Sequence, residues 1–326
     1  MHGAIRDTWF AAFDKYVGGT GMPVNDAHPA PDNKGKVQDF ERMSIYQTPA
    51  GAAFEMRGAT FALWKSMGWA NSWLKFPQSA EMPIPADERN VHQVFEGGVI
   101  FFTEKTGAYA LHKQIRVTYL NLNMHNDHDG VASGEWQVDM YANDHRVSLT
   151  EGTELYNIDD GDCSPHRSDG RLAEVANRKY GGGFGVLLAM HDIESCDRYW
   201  QGKYVNVDLP ISQGKLRVFS VGYEEDTATT GKLPDLGPTL KGIPTVGPFV
   251  QAGYDLIRTL RDYDQNDGIG LIDHTFTAEN RFGVGGVYSE KSKENPAAGD
   301  LADNHETIND WTLQFRIDEV IPQKRS

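Results

Sequence analysis

One segment in the C-terminal half concentrates residues that could bind a metal ion. Between residues 261 and 273, four aspartates and one asparagine lie among two glycines: Asp262, Asp264, Asn266, Asp267 and Asp273. Closely spaced carboxylates repel one another unless a cation lies between them, and calcium binds about six to eight oxygen ligands. The spacing approaches a helix-flanked calcium loop, but that loop has glycine where this chain has Asp267. We therefore predict a calcium-binding loop at the end of a β-sandwich, with a solvated acidic turn as the alternative.

A second polar segment follows the first predicted strand of the C-terminal half. It contains His125, Asp127, His128 and Asp129. Loops at one end of a sandwich lie close together although they are distant in sequence, so we expect Asp127 and Asp129 to share cations with the first segment. The two histidines could also bind zinc or iron, or act in acid–base chemistry. The sequence has no H-E-x-x-H pattern to support that reading.

The order of residues in the first acidic segment is similar to one known calcium loop. Asp262-Tyr263-Asp264, followed by Asn266-Asp267-Gly268-Ile269-Gly270, resembles the second loop of synaptotagmin-type calcium-dependent lipid-binding sandwiches. The resemblance covers about twenty residues. It implies calcium as a cofactor and an anionic lipid as one candidate partner.

The composition excludes several classes of protein. The net charge of −15 argues against a nucleic-acid partner, because phosphate binding needs a basic face. No apolar run reaches the roughly 18 residues of a membrane span, so no transmembrane segment is predicted. The two cysteines, Cys163 and Cys196, predict one disulfide in a secreted chain and buried thiols in a cytosolic one.

The N-terminal third is a repeat with a period of 55 residues. Trp9 and Trp64 are separated by this spacing, as are the pairs Phe40-Glu41 and Phe95-Glu96. The sequence pattern of each copy predicts a helix, a proline-rich turn and a β-hairpin. We place the copies at residues 5–59 and 60–114. A unit of this size buries little surface alone, so neighbouring copies must share a core. Residues 1–4 match the end of a copy and could belong to a longer array.

The best-conforming stretches of the second copy are Lys75–Ser79, Phe95–Phe102 and Thr106–His112. These stretches resemble the LGFP repeat, a cell-surface module. In the first copy, Gly21-Met22-Pro23-Val24 replaces the Leu-Gly-Phe-Pro signature. The resemblance implies attachment to the cell envelope through cell-wall polysaccharide, and an extracellular or wall-associated location.

Four aromatic residues of the second copy are candidate ligand-binding residues: Trp69, Trp73, Phe102 and Tyr109. Phe102 and Tyr109 lie between glycines and could stack on the apolar C–H face of a sugar, although they could equally form the repeat's own core. Trp69 and Trp73 are additional to the repeat pattern, so we predict that they form an exposed platform. Trp9 and Trp64 are predicted to pack within the core.

From residue 115 onward the sequence alternates apolar and polar residues, which predicts half-buried strands. The clearest strands are expected at residues 116–123, 134–142, 204–209, 215–223 and 311–317. The fold class is therefore α+β: helix-plus-hairpin repeats at residues 1–114, followed by a mainly β, sandwich-like domain at residues 115–326.

Two functional hypotheses follow. The first is a secreted, envelope-associated binding protein in which the repeats anchor to wall polysaccharide and a calcium-binding sandwich recognises a glycan, lipid or protein. The second is a secreted metal-dependent hydrolase that the repeats target to the cell wall. The sequence contains no G-x-S-x-G elbow and no phosphate-binding loop, which favours the binding protein.

Overall fold

The computed structural model describes residues 3–13, 15, 19–85, 87–124, 134–143, 145–148, 156–158, 204–224, 267–292 and 311–323. The fold contains two repeated units followed by two packed antiparallel sheets. The first unit comprises helix α1 (Gly3–Phe13) and strands β1 (His28–Pro29), β2 (Lys36–Asp39), β3 (Ser44–Gln47) and β4 (Ala53–Met56). The second comprises helix α2 (Gly58–Ser66), a 3-10 helix (Trp69–Asn71), and strands β5 (Met82–Ile84), β6 (Asp87–Val94), β7 (Gly98–Thr103) and β8 (Gly107–His112).

The strand register confirms the 55-residue repeat. In the first sheet Tyr46 lies opposite Phe54, and in the second sheet Phe101 lies opposite Tyr109. Each sheet has four strands in chain order. The predicted helix-plus-hairpin unit is therefore correct, with two further short strands before each hairpin.

Helix α2 is a layer between the two sheets. Its Trp64 is fully buried and contacts Tyr46 of the first sheet, with ring centroids 4.9 Å apart, and Phe95 of the second unit, at 5.6 Å. The indole N–H donates a hydrogen bond to the Lys75 carbonyl. The expected shared core and the packing role of Trp64 are thus confirmed.

The C-terminal part consists of two sheets. One contains β13 (Tyr204–Asp208), β9 (Gln114–Met124), β17 (Trp311–Glu319) and β16 (Val287–Lys291), in that order. The other contains β11 (His145–Ser148), β10 (Gly134–Ala142), β14 (Lys215–Glu224) and β15 (Asp267–Thr277), with β12 (Tyr156–Ile158) also pairing with β10. Val117 and Phe315 of the first sheet share a core with Val218 and Phe276 of the second, which confirms a mainly β domain.

The core continues from the second repeat into the sandwich. Strand β8 ends at His112 and β9 begins at Gln114, so the chain passes directly from one to the other. Phe101 and Tyr109 of the repeat belong to the same core as Leu209 and Phe282. The predicted boundary between residues 114 and 115 therefore falls at the start of β9, inside a continuous apolar core.

A short 3-10 helix after β15 (Ala278–Gly283) packs on the face of the second repeat's sheet that is opposite to α2. Phe282 meets Phe101 edge to face, with centroids 5.1 Å apart. This contact repeats the geometry of Trp64 on Tyr46, and Tyr46 is the residue 55 positions before Phe101. Phe282 thus occupies, on the second sheet, the place that Trp64 occupies on the first.

Six strand ends mark the end of the sandwich away from the repeats. Gly134 of β10 lies opposite Ile158. Trp136, two residues further along β10, lies opposite Glu224. Glu224 in turn pairs with Asp267, the first residue of β15. In the other sheet Met124 lies opposite Trp311. The segments 125–133, 159–203, 225–266 and 293–310 therefore all connect to strand ends on this side.

Candidate functional site

The partly exposed indole of Trp73 is the clearest candidate for ligand binding. Its side chain is 38% exposed and lies after the 3-10 helix of the second repeat. The ring stacks on the imidazole of His112, with centroids 4.0 Å apart and planes 14° apart. A large aromatic surface is therefore held in a fixed orientation at the protein surface.

The support under Trp73 comes from two distant parts of the chain. Glu319, the last residue of β17, accepts hydrogen bonds from the backbone N–H of His112 and pairs with its Nδ1. His112 is at the end of β8, so the C-terminal strand orients a residue of the second repeat. The imidazole of His112, on which the Trp73 indole stacks, is therefore fixed by a residue of the sandwich.

Two consecutive glycines allow the backbone and ring of Trp73 to approach the sheet. A Cβ atom on Gly97 would lie 2.0 Å from the Trp73 carbonyl oxygen, and one on Gly98 would lie 2.6 Å from Cζ3 of the indole. Neither position can hold a larger residue without moving Trp73. In the first repeat the corresponding residues are Arg42 and Met43, and Gly18 is 55 positions before Trp73. The sequence of the first repeat thus lacks the tryptophan and both glycines.

One polar contact joins two residues that are close in sequence to the stacked pair or to the proline turn. The Lys113 ammonium donates a hydrogen bond to Oε1 of Gln78 over 3.0 Å, and both side chains lie next to His112 or Phe76–Pro77 in sequence. The carboxylate of Glu319 is the polar group that contacts the platform directly, through His112. A flat apolar ring suits a sugar, which presents C–H faces to an aromatic plane.

The other predicted ligand-binding aromatics are placed differently. Trp69 is half-buried against Phe61 and Trp64, each with ring centroids 5.3 Å away. Phe102 is half-buried in β7, opposite Ala108. Tyr109 is buried, which agrees with the alternative that it forms part of the repeat's own core.

Tyr109 connects the repeat to the sandwich. Its hydroxyl donates a hydrogen bond to the Ala278 carbonyl over 2.7 Å, and the Arg281 guanidinium lies 5.0 Å from its ring centroid. Burial raises the pKa of Tyr109, and the nearby guanidinium opposes that effect. Its ring is therefore covered by the protein on the side that faces the sandwich.

Most of the predicted metal ligands lie outside the described residues. This holds for His125, Asp127, His128, Asp129, Asp262, Asp264 and Asn266, and also for Cys163 and Cys196. Asp267 begins β15, and Asp273 lies within it. The carboxylate of Asp273 accepts two hydrogen bonds from Arg217, from Nε at 2.6 Å and from Nη2 at 2.8 Å.

Within the ranges that the structure describes, no three His, Cys, Asp or Glu side chains come together in a metal-binding group. The calcium site and the metal-dependent hydrolase hypothesis both depend on residues outside those ranges. Both therefore stay predictions.

Sequence reasoning identified Trp73 but missed the residues that hold it. Gly97 and Gly98 were visible as part of the repeat pattern, and a double glycine before a strand is a signal for close backbone approach. Glu319 could not be found in this way, because it is separated from His112 by 207 residues. Only the packing of β17 beside β9 brings the two together.

Comparison with protein families decides what the repeats are. The LGFP repeat model matches residues 21–72 and 74–127, about a third of the chain. The chain contains two LGFP repeats. Each matched range begins about 15 residues after the predicted start of a copy, so an LGFP unit comprises a sheet and the element that covers it. In the first LGFP repeat that element is α2.

The LGFP repeats are typical of cell-wall-associated proteins. The resemblance to calcium-dependent lipid-binding sandwiches finds no support in this match. The search of curated proteins found no matching relative. Among the described helices, none has the length and apolar character needed to cross a membrane.

Proposed function

We propose that this protein binds cell-wall polysaccharide and that Trp73, which lies between the two matched LGFP ranges and stacks on His112 of the second, provides the main contact. The observation that carries the proposal is the stacked Trp73–His112 pair, whose centroids are 4.0 Å apart and whose indole is 38% exposed. The LGFP repeats supply the association with the cell wall.

The geometry favours binding because the ring is ordered before a ligand arrives. His112 supports the indole, Glu319 fixes His112, and Gly97 holds the Trp73 backbone close to the sheet. A side chain that is already immobile loses little conformational entropy when it binds, and this improves affinity. A sugar ring stacked on the indole removes apolar surface of both partners from water.

Replacing Trp73 with alanine tests the platform. We expect Trp73→Ala to weaken binding about tenfold, because truncating a contact aromatic removes roughly 1–3 kcal/mol. Isothermal titration with soluble polysaccharide released from cell walls measures the effect. Phe10→Ala is the matched control, since Phe10 is 62% exposed in the first unit. Equal affinities of wild type and Trp73→Ala would contradict the platform.

We also propose that the end of the sandwich away from the repeats binds calcium. Support comes from the strand ends: Met124, Glu224 and Asp267, which flank the segments containing Asp127, Asp129, Asp262 and Asp264 in sequence, lie at the same end of the sandwich. The four segments 125–133, 159–203, 225–266 and 293–310 contain 21 acidic and 11 basic residues, and so carry ten of the fifteen net negative charges. Divalent cations would reduce this repulsion.

Thermal unfolding tests the calcium proposal. A ligand that binds only the folded state stabilises it by about 2.7 kcal/mol at a hundredfold excess over Kd. We therefore expect calcium to raise the melting temperature by several degrees and a chelator to reverse the increase. Magnesium is the control, because it requires a tighter octahedral geometry. A melting temperature that responds to neither calcium nor chelator would refute the site.

A further inference from the structure

The outer face of one sandwich sheet carries a second exposed aromatic residue. Along β13, Val205 and Val207 point into the core, and Tyr204 and Asn206 alternate with them. Tyr204 is 48% exposed. The guanidinium of Arg116 on β9 lies 3.8 Å from its ring centroid. The tyrosine ring is therefore held against the sheet, as Trp73 is held against His112.

Arg116 is itself fixed by a neighbour. Its Nε–H donates a hydrogen bond of 2.9 Å to Oδ1 of Asn206, which lies directly opposite on β13. A cation held under an aromatic face contributes about 0.5–1 kcal/mol at an exposed site. The ring of Tyr204 is thus ordered without a ligand.

Hydrogen-bonding side chains continue across the sheet from Tyr204. The register places Thr118 beside Tyr204, and Arg316 of β17 beside Thr118. Arg316 pairs with Asp318 through Nε at 2.6 Å, and Gln114 donates to Asp208 over 2.7 Å. Adjacent strands are about 4.8 Å apart, so the surface of the three strands β13, β9 and β17 is roughly 10 Å wide.

The charge of this face selects the kind of ligand. On β13, β9 and β17 the positive charges of Arg116 and Arg316 are balanced by the carboxylates of Asp208 and Asp318, and Lys291 of β16 leaves the face with a net charge close to zero. The whole chain carries a net charge of −15, which repels a polyanion. A neutral polymer with apolar faces and many hydroxyl groups matches one ordered aromatic ring surrounded by paired polar groups.

We propose that the outer face of the sheet β13-β9-β17-β16 is a second glycan-binding surface, with Tyr204 as its stacking residue and a neutral polysaccharide as its ligand. This surface belongs to the sandwich and not to the LGFP repeats. It does not require that Trp73 binds a ligand, so the two sites can be tested separately.

The experiment compares wild type, Tyr204→Ala, Tyr204→Phe, Trp73→Ala and Tyr204→Ala combined with Trp73→Ala. The probes are dextran, mannan, galactan and soluble polysaccharide released from cell walls, with polygalacturonate as the charged control. Affinity is measured by isothermal titration, and thermal melting confirms that each variant folds. Tyr204 is on an edge strand and exposed, so the fold should persist.

We expect Tyr204→Ala to weaken binding of at least one neutral probe about tenfold, Tyr204→Phe to retain it, and polygalacturonate to bind to no variant. The double variant should bind more weakly than either single variant. Loss of binding in Tyr204→Ala alone, with Trp73→Ala unchanged, would support this surface and refute the platform at Trp73.

Two results would overturn the proposal. The first is equal affinity of wild type and Tyr204→Ala for every neutral probe, including the case in which no probe binds either protein. The second is a wild-type dimer in analytical ultracentrifugation that Tyr204→Ala converts to a monomer, because the face would then contact a second copy of the chain.

Discussion

Phe282→Ala is expected to lower the free energy of unfolding by about 3–5 kcal/mol, the usual cost of truncating a buried phenylalanine. Phe282 is buried and meets Phe101 of the second LGFP repeat at 5.1 Å. It also has a left-handed backbone conformation, with φ at 54°. Such a conformation persists only where the surrounding packing enforces it, and the ring supplies that packing.

The position of Phe282 predicts a second effect besides the loss of stability. Because Phe282 lies between the repeat and the sandwich, its loss should uncouple the two parts. We expect wild type to unfold in urea in a single transition. In Phe282→Ala that transition should broaden or split into two. Intrinsic tryptophan fluorescence reports on both parts, because four of the seven tryptophans lie before residue 115 and three after it. Far-ultraviolet circular dichroism reports on all the strands.

Two variants serve as controls for Phe282→Ala. Phe282→Leu keeps most of the buried volume and should cost less than about 1.5 kcal/mol. Val287→Ala alters an exposed residue of β16 and should lie within about 0.5 kcal/mol of wild type. A loss below about 1 kcal/mol for Phe282→Ala would show that this contact does not hold the repeat to the sandwich.

The second large effect is expected at Asp32, which connects the first sheet to the 3-10 helix that follows α2. Asp32 is 5% exposed, and its carboxylate accepts hydrogen bonds from the Tyr46 hydroxyl at 2.7 Å and from the Ala70 backbone N–H at 3.2 Å. It also accepts from the backbone N–H groups of Lys34 and Gly35. Asp32→Ala would leave these buried donors without a partner. We expect a loss of about 3–4 kcal/mol, because hydrogen bonds to charged groups contribute about 1.5–3 kcal/mol each.

The pKa of Asp32 gives this prediction a pH dependence. Burial alone would raise the pKa, but the hydrogen bonds from Lys34, Tyr46, Gly35 and Ala70 outweigh it and hold the pKa below its ordinary value. A carboxyl whose pKa is lower in the folded state stabilises the protein above the unfolded pKa, near 4. That contribution disappears as the pH falls through the folded value. The stability difference between wild type and Asp32→Ala should therefore shrink below about pH 4.

Urea unfolding at pH 7 and at pH 3 measures the effect of Asp32→Ala. Asp26→Ala, at an exposed aspartate of the same turn region, is the matched control. The interpretation fails if Asp32→Ala is no more destabilising than Asp26→Ala, or if its effect stays constant between the two pH values.

The repeats were predictable from sequence because their spacing is regular. Trp9, Trp64 and the Phe-Glu pairs carry a 55-residue period, and the structure confirms both the period and the shared core. Five strands of the sandwich, β9, β10, β13, β14 and β17, were predictable from alternation, whereas β11, β12 and β16 were not predicted. The first and last residues of an LGFP unit were not predictable, because a periodic pattern fixes the distance between copies but not the position at which a copy begins.

The details of the site depended on contacts that sequence cannot show. Trp73 was predicted as a platform, but its partner His112 is fixed by Glu319, which lies in the last strand. Tyr109 has the same local signals as an exposed aromatic, between a glycine and a small residue. It is buried because the 3-10 helix containing Phe282 packs over the second sheet, and no local pattern indicates that docking.

The central claim is that this chain attaches to the cell wall by binding polysaccharide. The most direct measurement is sedimentation of the full chain with purified cell walls, before and after their polysaccharide is extracted with mild acid. We expect the protein to sediment with intact walls, to remain in solution with extracted walls, and to be released by the extracted polysaccharide. Equal sedimentation with intact and extracted walls, or none with either, would contradict the claim.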